Sequence, residues 1–387
     1  MNSPVDIKAV LDAMSDAEEA RSLPIRVHVY FDESASADLA NIAMAATRTN
    51  AGNATVVYDS YPPQHAIPDA SADLAILVAG GDGRTGKLYN DLHNMGVPVV
   101  VFAVNREAVC AAAKATRNPI APEDVIAPSA SPDEHALPDR ADSAPIDLDS
   151  NDAKLMFGEF GSWVVEVFKE KRLAFANAFG CVRRPLALES VNETAVQNAG
   201  IGVVAIIPGA DMPLMTLNQV KMLLAMAAAY GEELSLSRIK EILAIVGGAF
   251  ACRSVARQAI GVVPGIGWVV KGGIGYIGTV AMGHALIEYF EKGTDVADAA
   301  RSVAETVKDA PAWAGVSKDK SIAENARLVA DAAREKVTDA AGNAAKNILP
   351  TVSSIATAAG DATGFSKSDL AGMADKAIGE VRKRIGK

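Results

Sequence analysis

Aromatic side chains are scarce in this chain, at 5% of 387 residues, although half of all residues are apolar. A core of bulky rings is excluded over most of the length, and close packing of alanine- and glycine-rich helices is expected instead. Cysteine is almost missing. Cys110, Cys181 and Cys252 are far apart, odd in number and without a C-x-x-C pair. That excludes a disulfide framework and predicts three reduced thiols in the cytoplasm. The five histidines, His28, His65, His93, His135 and His284, lack metal-ligand spacing, so no metal and no cofactor is expected. Basic excess is missing too. A net charge of -10 has the wrong sign for a nucleic-acid partner, whose phosphates need a basic field. The short clusters Lys169-Glu170-Lys171-Arg172 and Arg382-Lys383-Arg384 read as solvated helix ends or as local contacts with anionic lipid. The opening Met1-Asn2-Ser3-Pro4, with acids at Asp16, Glu18 and Glu19, lacks the basic-then-apolar layout of an export signal.

What is present divides the chain. Residues 1–24 read as a helical extension. Residues 25–116 alternate strand and helix. Ile25–Phe31 and Ala54–Tyr58 are β-branched strands, while Leu74–Ala79 and Val97–Val104 are continuous apolar runs suited to strands buried on both faces. Helix-length segments, Ser36–Thr47 and Gly86–Met95, lie between them. This pattern predicts an α/β domain with a doubly wound, mostly parallel sheet. Residues 117–152 are rich in Pro, Ala, Ser and Asp and are expected to be a disordered acidic linker. Residues 153–293 predict an all-α, glycine-rich helical domain. Residues 294–387 predict an alanine-rich amphipathic helical tail, with a narrow apolar face over Ile322–Arg334.

Nucleotide chemistry is suggested by Gly81-Asp82-Gly83-Arg84-Thr85-Gly86-Lys87, which fits G-x-x-x-x-G-K after an apolar strand. A phosphate loop needs the glycines to turn amides toward phosphate, the lysine for charge and a following hydroxyl for magnesium. Position 88 is Leu88. The segment therefore reads as a polar loop at the sheet's carboxyl edge, with Gly81, Gly83, Gly86 and Lys87 as weak anion-site candidates. The order Ala72–Val78, helix, Val97–Val104, then Asn105-Arg106-Glu107-Ala108 resembles the later half of a small GTPase domain. In that family the strand ends in Asn-Lys-x-Asp, which reads guanine. Here Asn105 matches, Arg106 replaces the lysine and Ala108 replaces the aspartate. Where the family has its phosphate loop, the chain has Phe31-Asp32-Glu33-Ser34-Ala35-Ser36, with two acids and no lysine. The resemblance implies a GTPase-like shape without its chemistry; an unrelated α/β domain fits the same residues.

The stretch from Pro208 to Phe290 is apolar and punctuated by glycine. Pro208-Gly209-Ala210-Asp211-Met212-Pro213 is followed by Gln219, Lys221 and Tyr230-Gly231. Arg253 and Arg257 then precede Pro264-Gly265-Ile266-Gly267, and Gly278-Thr279 with Gly283 closes the unit. These spaced motifs resemble the YcjF-like family of uncharacterised bacterial helical domains, which accompany GTPase domains and include membrane proteins. The resemblance covers roughly residues 195–293 and supplies no catalytic residues.

Elementary chemistry gives the same motifs structural roles. Asp211 is a candidate N-cap, with Pro213 in the first turn of a helix whose left-handed end Gly231 can supply. Gly267, Lys271, Gly275, Thr279 and Gly283 fall four apart and line one helix face, where a backbone can approach closely. Lys271 interrupts that face and needs a partner such as Asp211, unless it is solvated. A clean span of about 20 apolar residues is absent, so insertion, attachment to a membrane surface and a soluble bundle all stay open. No Ser/His/Asp or Cys/His constellation emerges. The chain reads as a non-catalytic bacterial binding or scaffold protein that docks on a protein partner, on a second copy through the glycine-rich face, or on a membrane. The alternative is a divergent GTP hydrolase coupled to a membrane-associated helical domain.

Overall fold

Short β-branched and apolar runs become parallel strands, fully buried at residues 74–78 and 99–102 and largely open to solvent at residues 54–60. The computed structural model describes residues 7–61, 67–80, 83–128, 150–204, 211–234 and 267–293. Helix α1 (Ile7–Ser22) leads into β1 (Ile25–Asp32), α2 (Ala37–Ala46), β2 (Ala54–Tyr61) and β3 (Leu74–Val78). Then come α3 (Thr85–Asn94), β4 (Val99–Phe102), α4 (Arg106–Ala115) and β5 (Val125–Ile126). The five strands form one sheet in the order β2-β1-β3-β4-β5, and every pairing is parallel. Strands β3 and β4 are buried along their whole length, which matches their unbroken apolar runs. On one face Ala75, Leu77, Val99 and Val101 share a core with Leu88 and Leu92 of α3 and Val109 and Ala113 of α4. On the other, Phe102 meets Phe160 edge-on at 5.4 Å. The doubly wound parallel sheet expected from the sequence is therefore present.

Helix starts are fixed by short polar side chains. Ser36 Oγ accepts the Leu39 N–H at 3.3 Å to open α2, and Asn105 Oδ1 accepts the Ala108 N–H at 2.8 Å to open α4. The C-terminal part of the chain begins with α5 (Asn151–Val167), capped by Ser150 Oγ on Ala153 N–H, then α6 (Arg172–Ala178) and α7 (Gly180–Val204). Helices α8 (Asp211–Ala229) and α9 (Gly267–Lys292) follow. Helix α8 begins at Asp211 itself, one residue earlier than an N-cap there would have it, has Pro213 in its first turn, and is followed by Gly231 at φ +78°, the left-handed end expected of it.

Two compact units result: an α/β unit of Ser15–Leu186 with Ala228–Glu232, and a helical unit of Met1–Met14, Ala187–Ala227 and Glu233–Lys387. Two boundaries differ from expectation. Strand β5 lies inside the segment read as linker, because two residues between Pro122 and Pro128 are too few to show a period. Helices α5 and α6, assigned by sequence to the helical domain, belong to the α/β unit. Trp163 Nε1 donates to Asp124 Oδ1 at 2.9 Å, and Lys171 Nζ reaches Asp73 Oδ1 at 2.6 Å. Most of the expected linker and the whole expected tail, residues 129–149 and 294–387, lie outside the described residues.

Candidate functional site

In an open parallel sheet the connections after β1 and β3 leave in opposite directions, which creates a crevice at the carboxyl ends of those strands. Here β1 and β3 are neighbours, so the crevice lies between Asp32–Ser34 and Ala79–Gly80. Asp32 ends β1 at 4% exposure. Its Oδ1 accepts the Ser34 N–H at 2.8 Å and the Ser34 hydroxyl at 2.7 Å. Its Oδ2 is buried and has no hydrogen-bond partner among the described residues. A Cβ on Gly80 would fall 1.9 Å from Ser34 Oγ and 2.7 Å from Asp32 Oδ1, so glycine is what lets the turn after β1 lie against the loop after β3. Tyr61 ends β2 in register with Asp32, and its hydroxyl lies 3.1 Å from Thr85 Oγ1, both side chains buried. Burial, aided by the nearby Asp32 charge and opposed by the Thr85 hydrogen bond, pushes the Tyr61 phenol far above its ordinary range.

The first turns of α2 and α3 open onto this edge, and their free N–H groups favour an anion there. The chain places its own carboxylate, Asp32, in that region. The loop read as a weak anion site has other uses for its residues. Gly83 has φ +72°, and a Cβ on it would sit 2.9 Å from the Ala112 carbonyl oxygen of α4. A Cβ on Gly86 would sit 2.3 Å from the Asn118 carbonyl oxygen. Both are glycines because backbone passes close by. Lys87 is 72% exposed and pairs with Asp91 at 2.5 Å along α3. Gly81 lies outside the described residues. Within the polar loop, then, Gly83 and Gly86 accommodate passing backbone and Lys87 pairs along its own helix.

The Asn105-Arg106-Glu107-Ala108 segment is likewise structural. Asn105 caps α4, and Arg106 donates from Nε and Nη2 to the Val125 carbonyl while Nη2 also meets Glu159. The guanidinium fastens β5 to its neighbour strand's helix and to α5.

In the helical unit the structure brings together two of the sequence-derived motif residues and adds one that periodicity did not single out. Thr279 Oγ1 of α9 accepts from Asn198 Nδ2 of α7 at 2.9 Å and from Gln219 Nε2 of α8 at 3.1 Å. Asn218 Nδ2 extends the chain to Asn198 Oδ1 at 3.3 Å. Asn198 and Thr279 are fully buried. One turn further along α9, Gly283 faces Val191 of α7, whose Cγ2 lies 2.1 Å from where a Cβ would be. At Thr279 and Gly283, therefore, the small-residue face is covered by the chain's own α7 and α8, and a partner cannot use it there. Asn198 could have been noticed as an amide inside the apolar Ala195–Val204 run. Gly278 is also buried, whereas Lys221 is exposed and Tyr230 half-buried. Pro208, Gly209, Arg253, Arg257 and Pro264 lie outside the described residues, and Asp211, Pro213, Gly267, Lys271 and Gly275 are described only as helical backbone. The Asp211–Lys271 pair expected from sequence thus also lies outside.

A groove of about 570 Å³ lined by Met44, Arg48, Val56 and Tyr58 lies at the opposite end of α2 from the crevice and gathers no reactive groups. Among the described residues no three His, Cys, Asp or Glu side chains are placed to hold a metal ion, and no helix is long and apolar enough to cross a membrane. Comparison of the chain with family models, with curated proteins and with solved structures finds no match.

Proposed function

We propose that the chain is a non-catalytic binding or scaffold protein in which the α/β unit is a structural platform and the helical unit docks on a protein partner or a membrane surface. One observation carries this reading: the positions that would handle a nucleotide are engaged elsewhere. Asn105 caps a helix, Arg106 holds a strand carbonyl and Glu159, Lys87 pairs along α3, and Gly83 and Gly86 accommodate backbone. Asp32 brings negative charge to the edge where a phosphate would sit. A GTPase-like ancestry of the α/β unit and a YcjF-like identity of the helical unit belong to the same proposal. Docking is assigned to faces of the helical unit other than the Thr279–Gly283 contact, which the chain fills itself.

Calorimetry of the purified chain with GTP or ATP and magnesium tests it. No saturable heat at micromolar nucleotide is expected. Saturable binding lost on Lys87→Ala would overturn the reading and restore the divergent GTP hydrolase. Retention in the membrane fraction after carbonate washing would separate a membrane-inserted helical unit from one that docks on a surface or a protein.

A further inference from the structure

The two edges of the sheet are built differently. At one, β5 is two residues long, lies between Pro122 and Pro128, and its Val125 carbonyl accepts from the Arg106 guanidinium. Shortness, nearby proline and a covering charge all keep an edge from pairing with another chain. At the other edge β2 runs for eight residues in one-to-one register with β1, from Ala54 to Tyr61. It contains no proline, no lysine and no bulge, and Thr55, Tyr58, Asp59 and Ser60 are exposed. Among the described residues β2 pairs with β1 alone. An edge of this kind is a template for a further strand.

The Ile25 N–H donates to the Asn53 carbonyl at 2.9 Å, so residue 53 and its alternates 55, 57 and 59 turn their backbone groups toward β1. The backbone of Ala54, Val56, Tyr58 and Ser60 then turns outward. A second, antiparallel β2 matches all four residues in one register: Ala54 opposite Ser60, Val56 opposite Tyr58, and a two-fold axis at Val57. That register is self-complementary. Tyr58, 45% exposed, meets Val56 of the second copy beside the groove that both line with Met44 and Arg48. Aromatic and β-branched side chains are a favourable cross-strand pair. Asp59, the one charged residue of β2, falls opposite Thr55 rather than opposite itself. Thr55 is in register with Arg26 of β1, so Asp59 of one copy joins the row of a half-exposed arginine of the other.

We propose that two copies of this chain pair their β2 edges antiparallel across a two-fold axis, forming one continuous sheet of five strands from each copy. The contact stands apart from the docking assigned to the helical unit, whose Thr279–Gly283 face the chain fills itself.

Sedimentation velocity of the full chain over a concentration series detects the dimer, and a charge placed at position 55 tests its register. Thr55 and Ser60 are exposed, so substitutions there should leave the fold intact. Thr55→Asp puts a carboxylate opposite Asp59 in both symmetry-related pairs and should weaken the dimer by roughly 2- to 30-fold. Thr55→Lys should strengthen it, and by more than Ser60→Lys, which adds the same charge opposite Ala54. Val57 meets its own copy at a pair that exchanges no backbone bonds, where Cα atoms are about 4.5 Å apart and a disulfide can form. Under mild oxidation Val57→Cys should therefore give a covalent dimer joined at position 57, and Tyr58→Cys should not. A chain that stays monomeric up to about 1 mM, the weak end of specific association, would overturn the proposal. So would a dimer that is insensitive to Thr55→Asp and does not cross-link through Val57→Cys, because the second copy would then dock elsewhere on the chain.

Discussion

The two units bury polar groups in opposite ways. In the α/β unit Asp32, Tyr61 and Thr85 collect at the carboxyl ends of β1 and β2 and where α3 begins, while His28 within β1 meets Asp59 and Asp69 and Thr47 bonds back to the Ala43 carbonyl at the end of α2. In the helical unit they sit in the middle of helices and find partners on neighbouring helices, as Asn198, Gln219 and Thr279 do. A parallel sheet pairs its own backbone, so polar side chains are free to gather at its edge, where ligands bind. A helix bundle of small residues has few bulky side chains to set its register, and a buried hydrogen-bonded cluster can do so. Polar burial thus marks a candidate site in one unit and a packing device in the other.

The largest test of this contrast uses two glycines that both admit a neighbouring helix. Pro185 lacks an N–H, so the Cys181 carbonyl one turn earlier in α7 loses its usual helical donor. That oxygen lies 2.2 Å from the position of a Cβ on Gly161, so α5 rests on backbone that cannot turn aside. Gly161→Ala should lower stability by about 3 kcal/mol or more, at or beyond the upper end of typical overpacking. Gly283 meets only the Val191 side chain, so Gly283→Ala should cost about 1–3 kcal/mol and be partly restored by Val191→Ala. Chemical denaturation of the four proteins measures this. Equal losses for the two glycines, with no rescue by Val191→Ala, would refute the distinction between backbone and side-chain neighbours.

Next in size is the polar cluster itself. Thr279→Val keeps the shape but removes the oxygen that accepts from Asn198 and Gln219. Leaving buried amide donors without that acceptor should cost about 2 kcal/mol. Combining it with Gln219→Leu should cost less than the sum of the single changes, because the donor disappears with its acceptor. Strict additivity in thermal unfolding would show that the cluster is not one network.

Much of the α/β unit was legible because its signals are local. The apolar run of β3 fixes a strand buried on both faces, and Ser36 before Ala37 fixes a helix start. Strand β5 was not legible, since its two residues gain their place only from pairing with β4 and from the Arg106 side chain. The membership of α5 was hidden for a similar reason. Its amphipathic pattern reveals a buried face, but only the Phe160–Phe102 contact reveals what that face meets. The acidity of the turn after β1 was visible, whereas the orphaned oxygen of Asp32 depends on four segments converging. In the helical unit the spacing of Thr279 and Gly283 correctly implied a close-packed face, and only coordinates could show that the chain covers it itself.

A smaller effect separates the sheet's other edge from its candidate site. Hydrogen bonding from the Ser71 hydroxyl holds the Asp69 carboxyl well below the usual carboxylate range, against the effect of burial. The Ser71 N–H, His28 and Arg26 add to this. A carboxyl depressed in the folded state stabilises fully above its unfolded pKa of about 3.9, and the contribution fades as pH falls through the folded value. Asp69→Asn should therefore lower the melting temperature at neutral pH, and the gap to the unmutated protein should close on acidification below about pH 4. A gap that stays constant to pH 2 would show that the loss is packing rather than charge.

The smallest expected effect sharpens the reading of the Gly83–Lys87 turn. Lys87 and Asp91 form an exposed pair one turn apart, with the cation on the N-terminal side. That orientation opposes the helix dipole, so the pair contributes about 0.2–0.5 kcal/mol at most. Lys87→Ala should shift thermal unfolding barely beyond error, and by less at high salt, because screening removes what attraction the pair has. A lysine that held a bound anion would behave differently: its removal would destabilise the protein only when phosphate or nucleotide is present, through loss of linked binding. Melting curves of both proteins with and without inorganic phosphate separate these cases. A phosphate-dependent stabilisation that vanishes with Lys87 would return this turn to the ligand-binding edge and make the α/β unit more than a platform.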